Sequence, residues 1–195
     1  MHNRLLYIGI LLCSLPLVAP SIHANENWDL DKLMQSLANN RNGHAKFTEK
    51  KFIAILDKPV ESSGELFYTA PDRLEKRTLK PKAESMLVDK DKLIVEQRGR
   101  QHVLSLQSYP EIAAFIDSIR GTLVGDRKAL ERTYKLSIEG NEQDWSLSLL
   151  PLQDKMKKVV SSINISGSGN MLGSIQIQQA DGDSSVMTIT PLPSP

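Results

Sequence analysis

Residues Tyr134-Lys-Leu-Ser-Ile-Glu-Gly-Asn-Glu-Gln-Asp-Trp-Ser-Leu-Ser-Leu149 decide the fold, because they read as two alternating runs separated by a turn. Tyr134, Leu136 and Ile138 alternate with polar residues. Gly140-Asn141 begin a turn, and Trp145, Leu147 and Leu149 then alternate with Ser146 and Ser148. A period of two is that of a strand with one buried face. A connection this short leaves no room for a parallel crossover, so the strands pair antiparallel. The same period continues toward the C-terminus through Val159, Ile163 and Ile165, a turn at Ser166 to Asn170, and Leu172, Ile175 and Ile177. Asp181-Gly182 is a hairpin signal, Val186 to Thr190 make a last strand, and Pro191, Pro193 and Pro195 mark a frayed tail.

Working back from Tyr134, the period changes. Pro110 to Val124 carries Ile112, Phe115, Ile116, Ile119 and Leu123 on one helical face, with proline at the start. Gly125-Asp126 end it, and Asp126 caps one more turn through Leu130. Before this helix, Met86 to Val88, Leu93 to Val95 and Val103 to Leu106 are short strands separated by charged turns. Earlier still, Val60 to Thr69 and Arg73 to Leu79 flank the turn Pro71-Asp72, with a bulge expected at Ser62-Ser63-Gly64. A strand from His44 to Leu56 precedes them. The first helix spans Asp29 to Ala38, and Gly43 is expected in the left-handed turn that follows it. The sum is about ten antiparallel strands with two helical regions. This is an α+β fold, one large curved sheet with helices gathered on one face.

The first 24 residues read as a cleavable secretory signal: His2 and Arg4, an apolar run from Leu5 to Val18, and a small residue at Ala24 with Ile22 two positions before it. Cys13 follows Leu12 with little apolar sequence before it, which rejects a lipoprotein signal. Residues 25–195 then form a single domain with no cysteine and with 23 basic and 23 acidic residues. That balance argues against nucleic acid as a partner. It also means that the core, rather than disulfides, must hold the exported domain together.

No catalytic or metal constellation is legible. His44 and His102 stand in no ligand spacing, and Ser166-Gly-Ser-Gly169 lacks the strand-then-helix context of a phosphate loop. Glu49, Glu65, Asp72 and Glu75 read as solvated strand positions with cross-strand ion pairs. No cofactor is expected. What remains is the apolar pattern. Two short helices cover only part of a ten-stranded face, so the sheet either closes on its own side chains or leaves a partly lidded hollow. The lining of that hollow would be Leu66, Tyr68, Leu74, Leu87, Leu136, Trp145, Leu147, Ile163 and Ile175, and its lid Leu33, Leu37, Ile112, Phe115, Ile116 and Ile119. Alternation alone does not separate a filled core from a cavity, and taken by itself it favours ordinary core.

Several stretches together carry a resemblance. They are Phe47-Thr-Glu-Lys50, the run Gly64-x-Leu-x-Tyr-x-x-Pro-Asp-Arg-Leu74, and Leu123-Val-Gly-Asp126 followed by Ala129-Leu-Glu131. Trp145-Ser-Leu-Ser-Leu149 leading to Pro151 and Ala180-Asp-Gly-Asp-Ser-Ser-Val-Met-Thr-Ile-Thr-Pro191 complete the set. Their order and spacing resemble the LolA family of periplasmic outer-membrane lipoprotein carriers, in its divergent branch. The resemblance implies a half-open β-barrel with a helical lid over a hydrophobic cavity that takes the acyl chains of a lipoprotein. It also implies a monomer in the periplasm, an inner-membrane donor complex, an outer-membrane acceptor and no catalysis. The family's latch arginine before the motif proline is Ala70 here, with Arg73 three residues on, and Asp89-Lys90-Asp91 replaces the family's Asp-Gly-Lys. Three classes stay open: a carrier of lipoproteins or of another lipid or acylated product, a non-catalytic envelope binding module, and, ranked last, a hydrolase of envelope lipids.

Overall fold

The computed structural model describes residues 28–193; the secretory segment expected over 1–24 lies outside them, as does the end of the tail. The chain opens with helix α1 (Leu30–Leu37), capped by Asp29, whose side chain accepts from the Lys32 amide. Strands β1 (Asn42–Phe52), β2 (Val60–Thr69), β3 (Arg73–Lys80), β4 (Glu84–Asp89), β5 (Lys92–Gln97) and β6 (Arg100–Ser105) follow as a meander. A short 3-10 turn at Leu106–Ser108 leads into α2 (Pro110–Leu123) and α3 (Arg127–Glu131). Strands β7 (Tyr134–Asn141) and β8 (Asp144–Pro151), the single turn α4 (Asp154–Lys157), and β9 (Val160–Ser168), β10 (Met171–Gln179) and β11 (Ser184–Pro191) complete it.

All eleven strands join one sheet, in the order β6-β5-β4-β3-β2-β1-β11-β10-β9-β8-β7, and every pairing is antiparallel. The first and last strands of that order are unpaired edges, so the barrel is open. The N-terminal meander and the C-terminal strands are two halves, joined where β1 meets β11 with Phe47 opposite Ile189. Helices α2 and α3 lie between those halves in sequence, α1 precedes both, and the apolar side chains of the helices meet the sheet in two clusters.

Local chemistry explains the elements. Asp126 accepts from the Ala129 amide and starts α3, as its position suggested. Gly125 adopts φ +66°, and a Cβ there would sit 2.0 Å from the Met34 carbonyl, so this corner admits only glycine. The register shifts between Ser63 and Gly64, at the bulge expected there. Gly64 is needed for closeness rather than for φ. A Cβ would meet the Arg77 carbonyl at 1.9 Å and the Phe47 ring at 3.0 Å.

Three expectations are corrected. Gly43 lies inside β1 opposite Tyr68 rather than in a left-handed turn, because the first helix is already closed by backbone bonds from Ala38, Asn39 and Asn40. The first strand stops at Phe52, and Ile53 to Leu56 form a turn closed by the Leu56 amide on the Ile53 carbonyl. Pro191 still pairs with Ala45 as the last residue of β11.

Candidate functional site

Side-chain alternation and the register assign every strand residue to one of two faces. On the face toward the helices, one row runs Ile138, Leu147, Ile165, Ile175, Met187, Glu49, Ser62 across β7, β8, β9, β10, β11, β1 and β2. On the other half, Tyr68, Leu74, Val88, Leu93 and Leu104 form a row across β2 to β6, and Leu66, Lys76, Met86, Val95 and His102 form the next. The inner face is therefore mostly apolar, interrupted by Glu49 and Ser62 in the first row and by Lys76 and His102 in the last.

The helices cover this face unequally. Leu33, Met34 and Leu37 of α1 and Leu130 of α3 pack with Tyr134, Trp145, Leu147, Leu149, Ile163 and Ile165 in a large cluster. Trp145 is fully enclosed, and its indole donates to the Gly169 carbonyl. On the other half only Val88, Leu106 and Ile116 are buried together, with Leu74, Leu93, Ala113 and Phe115 against them. Phe115 touches both clusters. Leu66, Met86 and Val95 belong to neither and remain partly or largely open to solvent.

The nine residues expected to line a hollow thus divide. Trp145, Leu147, Ile163 and Ile175 sit in the filled cluster, with Leu136 packed at its margin. Leu66, Tyr68 and Leu74 stand on the inner face of the less covered half. Leu87 faces the other way: it is opposite Glu75 and Ile94, and Val88 takes the inward place. The run Met86-Leu87-Val88 is apolar at both parities, so sequence alternation could not choose. Among the helix positions, Leu33 and Leu37 are buried, Phe115, Ile116 and Ile119 pack inward, and Ile112 is exposed.

Two features escaped the sequence reading. Glu49 is only 5% exposed, not a solvated strand residue. Its carboxylate takes the Lys76 ammonium at 2.5 Å, with Lys51 3.9 Å away and the Ser62 hydroxyl donating at 3.3 Å. Lys76 also lies 4.9 Å over the Phe47 ring, which extends across the bare Gly64. The signal was present, since Glu49 shares the parity of Ala45 and Phe47. Glu65 and Glu75 lie on the outer face, but Glu75 finds its partner along its own strand rather than across the sheet. Glu75 pairs with Arg77, and Glu65 lies 3.5 Å from His44, whose ring stacks on Phe67.

The second feature is Arg120 on α2. Its Nε donates to the Asp72 carbonyl at 3.0 Å and its Nη2 to the Lys90 carbonyl. One helix side chain thus ties the β2–β3 and β4–β5 turns together, beside the position where Ala70 stands. Tyr134 fastens the helix from the other half, donating to the Ala114 carbonyl at 3.1 Å, and burial pushes its phenol up to about 12. Arg120, Asp117, Asp126 and Arg132 also line a charged cleft of about 320 Å³ between α2 and α3. Among the described residues, no group of three or more metal-ligating side chains comes together.

Several solved structures are similar in fold. A LolA superfamily protein from Nitrosomonas europaea is 9% identical over 87% of this chain and 96% of that one, with a TM-score of 0.46. A Pseudomonas aeruginosa MucA/MucB complex is 11% identical over 85% of this chain and 58% of that one, at 0.47. A putative outer membrane lipoprotein-sorting protein domain from Vibrio parahaemolyticus is 11% identical over 83% and 89%, at 0.42. No curated protein matches. A family model described as outer membrane lipoprotein carrier protein LolA-like matches residues 22–190. The open eleven-stranded sheet with its helices over one face, carried by a match of that length, places this chain in the LolA-like family of outer membrane lipoprotein carrier proteins.

Proposed function

We propose that this protein is a periplasmic carrier that shields the acyl chains of lipoproteins against the inner face of its sheet and moves them from the inner to the outer membrane. The observation that carries the reading is the apolar set Leu66, Met86 and Val95, in the inward row that Lys76 and His102 share. The set lies on the face the helices cover, and neither cluster buries it. Uncovered apolar surface of this kind marks a place where another apolar body is received.

The physical need is plain. A long acyl chain in water costs about 0.8 kcal/mol for each methylene, on the order of 10 kcal/mol in all. A sheet face with a helix above it supplies shielding without making or breaking a bond, which suits the carrier family this chain belongs to. Export through the 1–24 segment, an inner-membrane donor and an outer-membrane acceptor complete the proposed cycle.

The experiment is to purify the protein from secreting cells that also express a tagged lipoprotein, and to extract and weigh what copurifies. Triacylated lipoprotein in stoichiometric amount supports the proposal. Another lipid in its place would redirect the cargo assignment, and neither one bound would end the carrier reading.

A further inference from the structure

The hairpin connecting β1 to β2 displays apolar side chains outward. Ile55 is 91% exposed, Leu56 48%, Phe52 46% and Val60 41%. The loop is not loose backbone. The Leu56 amide closes it on the Ile53 carbonyl at 2.8 Å, and the Ala54 amide is held by the Asp183 carboxylate at 2.9 Å. The protein therefore spends hydrogen bonds on presenting these side chains to solvent.

Apart from Asp57, which is exposed in the loop beside Lys58, the acidic groups around the tip are engaged. Asp183 is engaged with Ala54, and Asp181 accepts from the Asp183 amide. Glu61 pairs with Lys50 at 3.2 Å, and Glu49 holds Lys51 and Lys76. Lys58, in the loop itself, Lys80, at the end of β3, and Lys82, in the β3–β4 turn at the same end of the sheet, are exposed and make no ion pair among the described residues. Acidic groups at this end mostly bind the fold, while lysines face out. A protruding apolar tip inside a collar of lysines fits a fluid apolar phase beneath anionic headgroups.

We propose that the Phe52–Val60 hairpin is a membrane-docking tip, inserting Ile55 and Leu56 into a bilayer that contains anionic lipid, while Lys58, Lys80 and Lys82 meet its headgroups. The proposal goes beyond the carrier reading and does not depend on whether cargo is bound. The test uses cargo-free protein from secreting cells in a Cys13→Ser background, labelled with an environment-sensitive dye at Ile55→Cys or, as control, at Val103→Cys on the outer face of β6. Vesicles of phosphatidylethanolamine with phosphatidylglycerol should blue-shift the dye at 55 and leave it unchanged at 103. In unlabelled protein, Ile55→Glu with Leu56→Glu should weaken cosedimentation with those vesicles by about tenfold or more. Phosphatidylcholine vesicles alone should bind more weakly than the anionic ones. Equal shifts at both positions, no shift at 55, or a double variant that still cosediments would overturn the proposal. So would a shift at 55 that grows with protein concentration without lipid, since that would place a second copy of the chain on the tip.

Discussion

Replacing Arg120 with alanine removes a side chain that ties α2 to two turns of the N-terminal half at once. Both acceptors are backbone carbonyls, of Asp72 and Lys90, and the donor is charged. A hydrogen bond of that kind contributes about 1.5–3 kcal/mol. The Lys90 contact is exposed, so its share belongs at or below the lower end. The loss should be about 2–4 kcal/mol in the closure of α2 onto β2–β5, or roughly 30- to 1,000-fold in the opening equilibrium. Hydrogen exchange of the α2 amides reads this directly, with the β8 and β9 amides as an internal reference for global unfolding. Arg120→Lys retains the charge but not the two-directional fork, and should recover less than half of the lost protection. If α2 protection in Arg120→Ala falls by no more than twofold while β8 and β9 stay protected, the tie does not hold the helix and the reasoning fails.

Three further perturbations follow from the same geometry. The Tyr134 phenol titrates near 10 in the unfolded chain and about 12 when folded, so the unfolded state loses its proton first. Its contribution is complete below pH 10 and is lost as pH rises toward 12, by about 2–3 kcal/mol. Denaturant titrations across that range should show a steeper loss in wild type than in Tyr134→Phe, where the buried Tyr68 phenol still contributes. Leu66→Glu and Leu74→Glu should abolish copurification of acylated cargo, whereas Leu87→Glu on the opposite face should leave loading intact and change stability by under about 1 kcal/mol. Equal loading by all three would remove the inner face as the binding surface. Lys76→Met leaves the buried Glu49 with only the Ser62 hydroxyl and a distant Lys51 and should cost about 3–5 kcal/mol, while adding Glu49→Gln should return most of it. A double variant no more stable than the single one would show that the pair does not act as a unit.

The parts of this fold that were legible in the sequence were those where a single physical signal decides. Strands β7, β8, β9 and β10 alternate cleanly because one face is buried and the other meets water. Asp126 and Asp181-Gly182 announce a cap and a turn because few other residues can serve there. Legibility failed where two signals agree with opposite answers. Met86-Leu87-Val88 is apolar on both faces, because the outer face of this half also carries Phe67 and Ile94, so parity alone misplaced Leu87. It failed again at Glu49, where a charge on an apolar parity reads as solvent contact until the partner is known. Lys76 is two strands away and twenty-seven residues on in sequence, reached only because Gly64 leaves the space between them open. Arg120 was hidden for a similar reason. Its acceptors are backbone carbonyls, and a carbonyl has no letter in the sequence.

The unequal covering of the two halves bears on how such a lid would have to move. On the C-terminal side, α2 is joined to α3 through a close approach at Gly121, where a Cβ would meet Leu130 at 2.8 Å, and Ser118 and Thr122 are fully enclosed. Phe115 and Ile119 add contacts to the large cluster there, and Tyr134 adds a hydrogen bond. On the N-terminal side, the helix buries only Ile116, with Phe115 and Ala113 partly buried beside it. Buried apolar area is the main term holding a helix to a sheet, so the two edges of α2 are held with different strength. A helix lifted from this surface parts from β3–β6 first and turns about its seam with α3 and β7. Arg120 stands on the parting side, bridging turns at Asp72 and Lys90, where hydrogen bonds supplement the smaller apolar contact. Leu66, Met86 and Val95 lie on the same half, so the motion requiring the least loss of packing widens access to the apolar surface proposed for cargo.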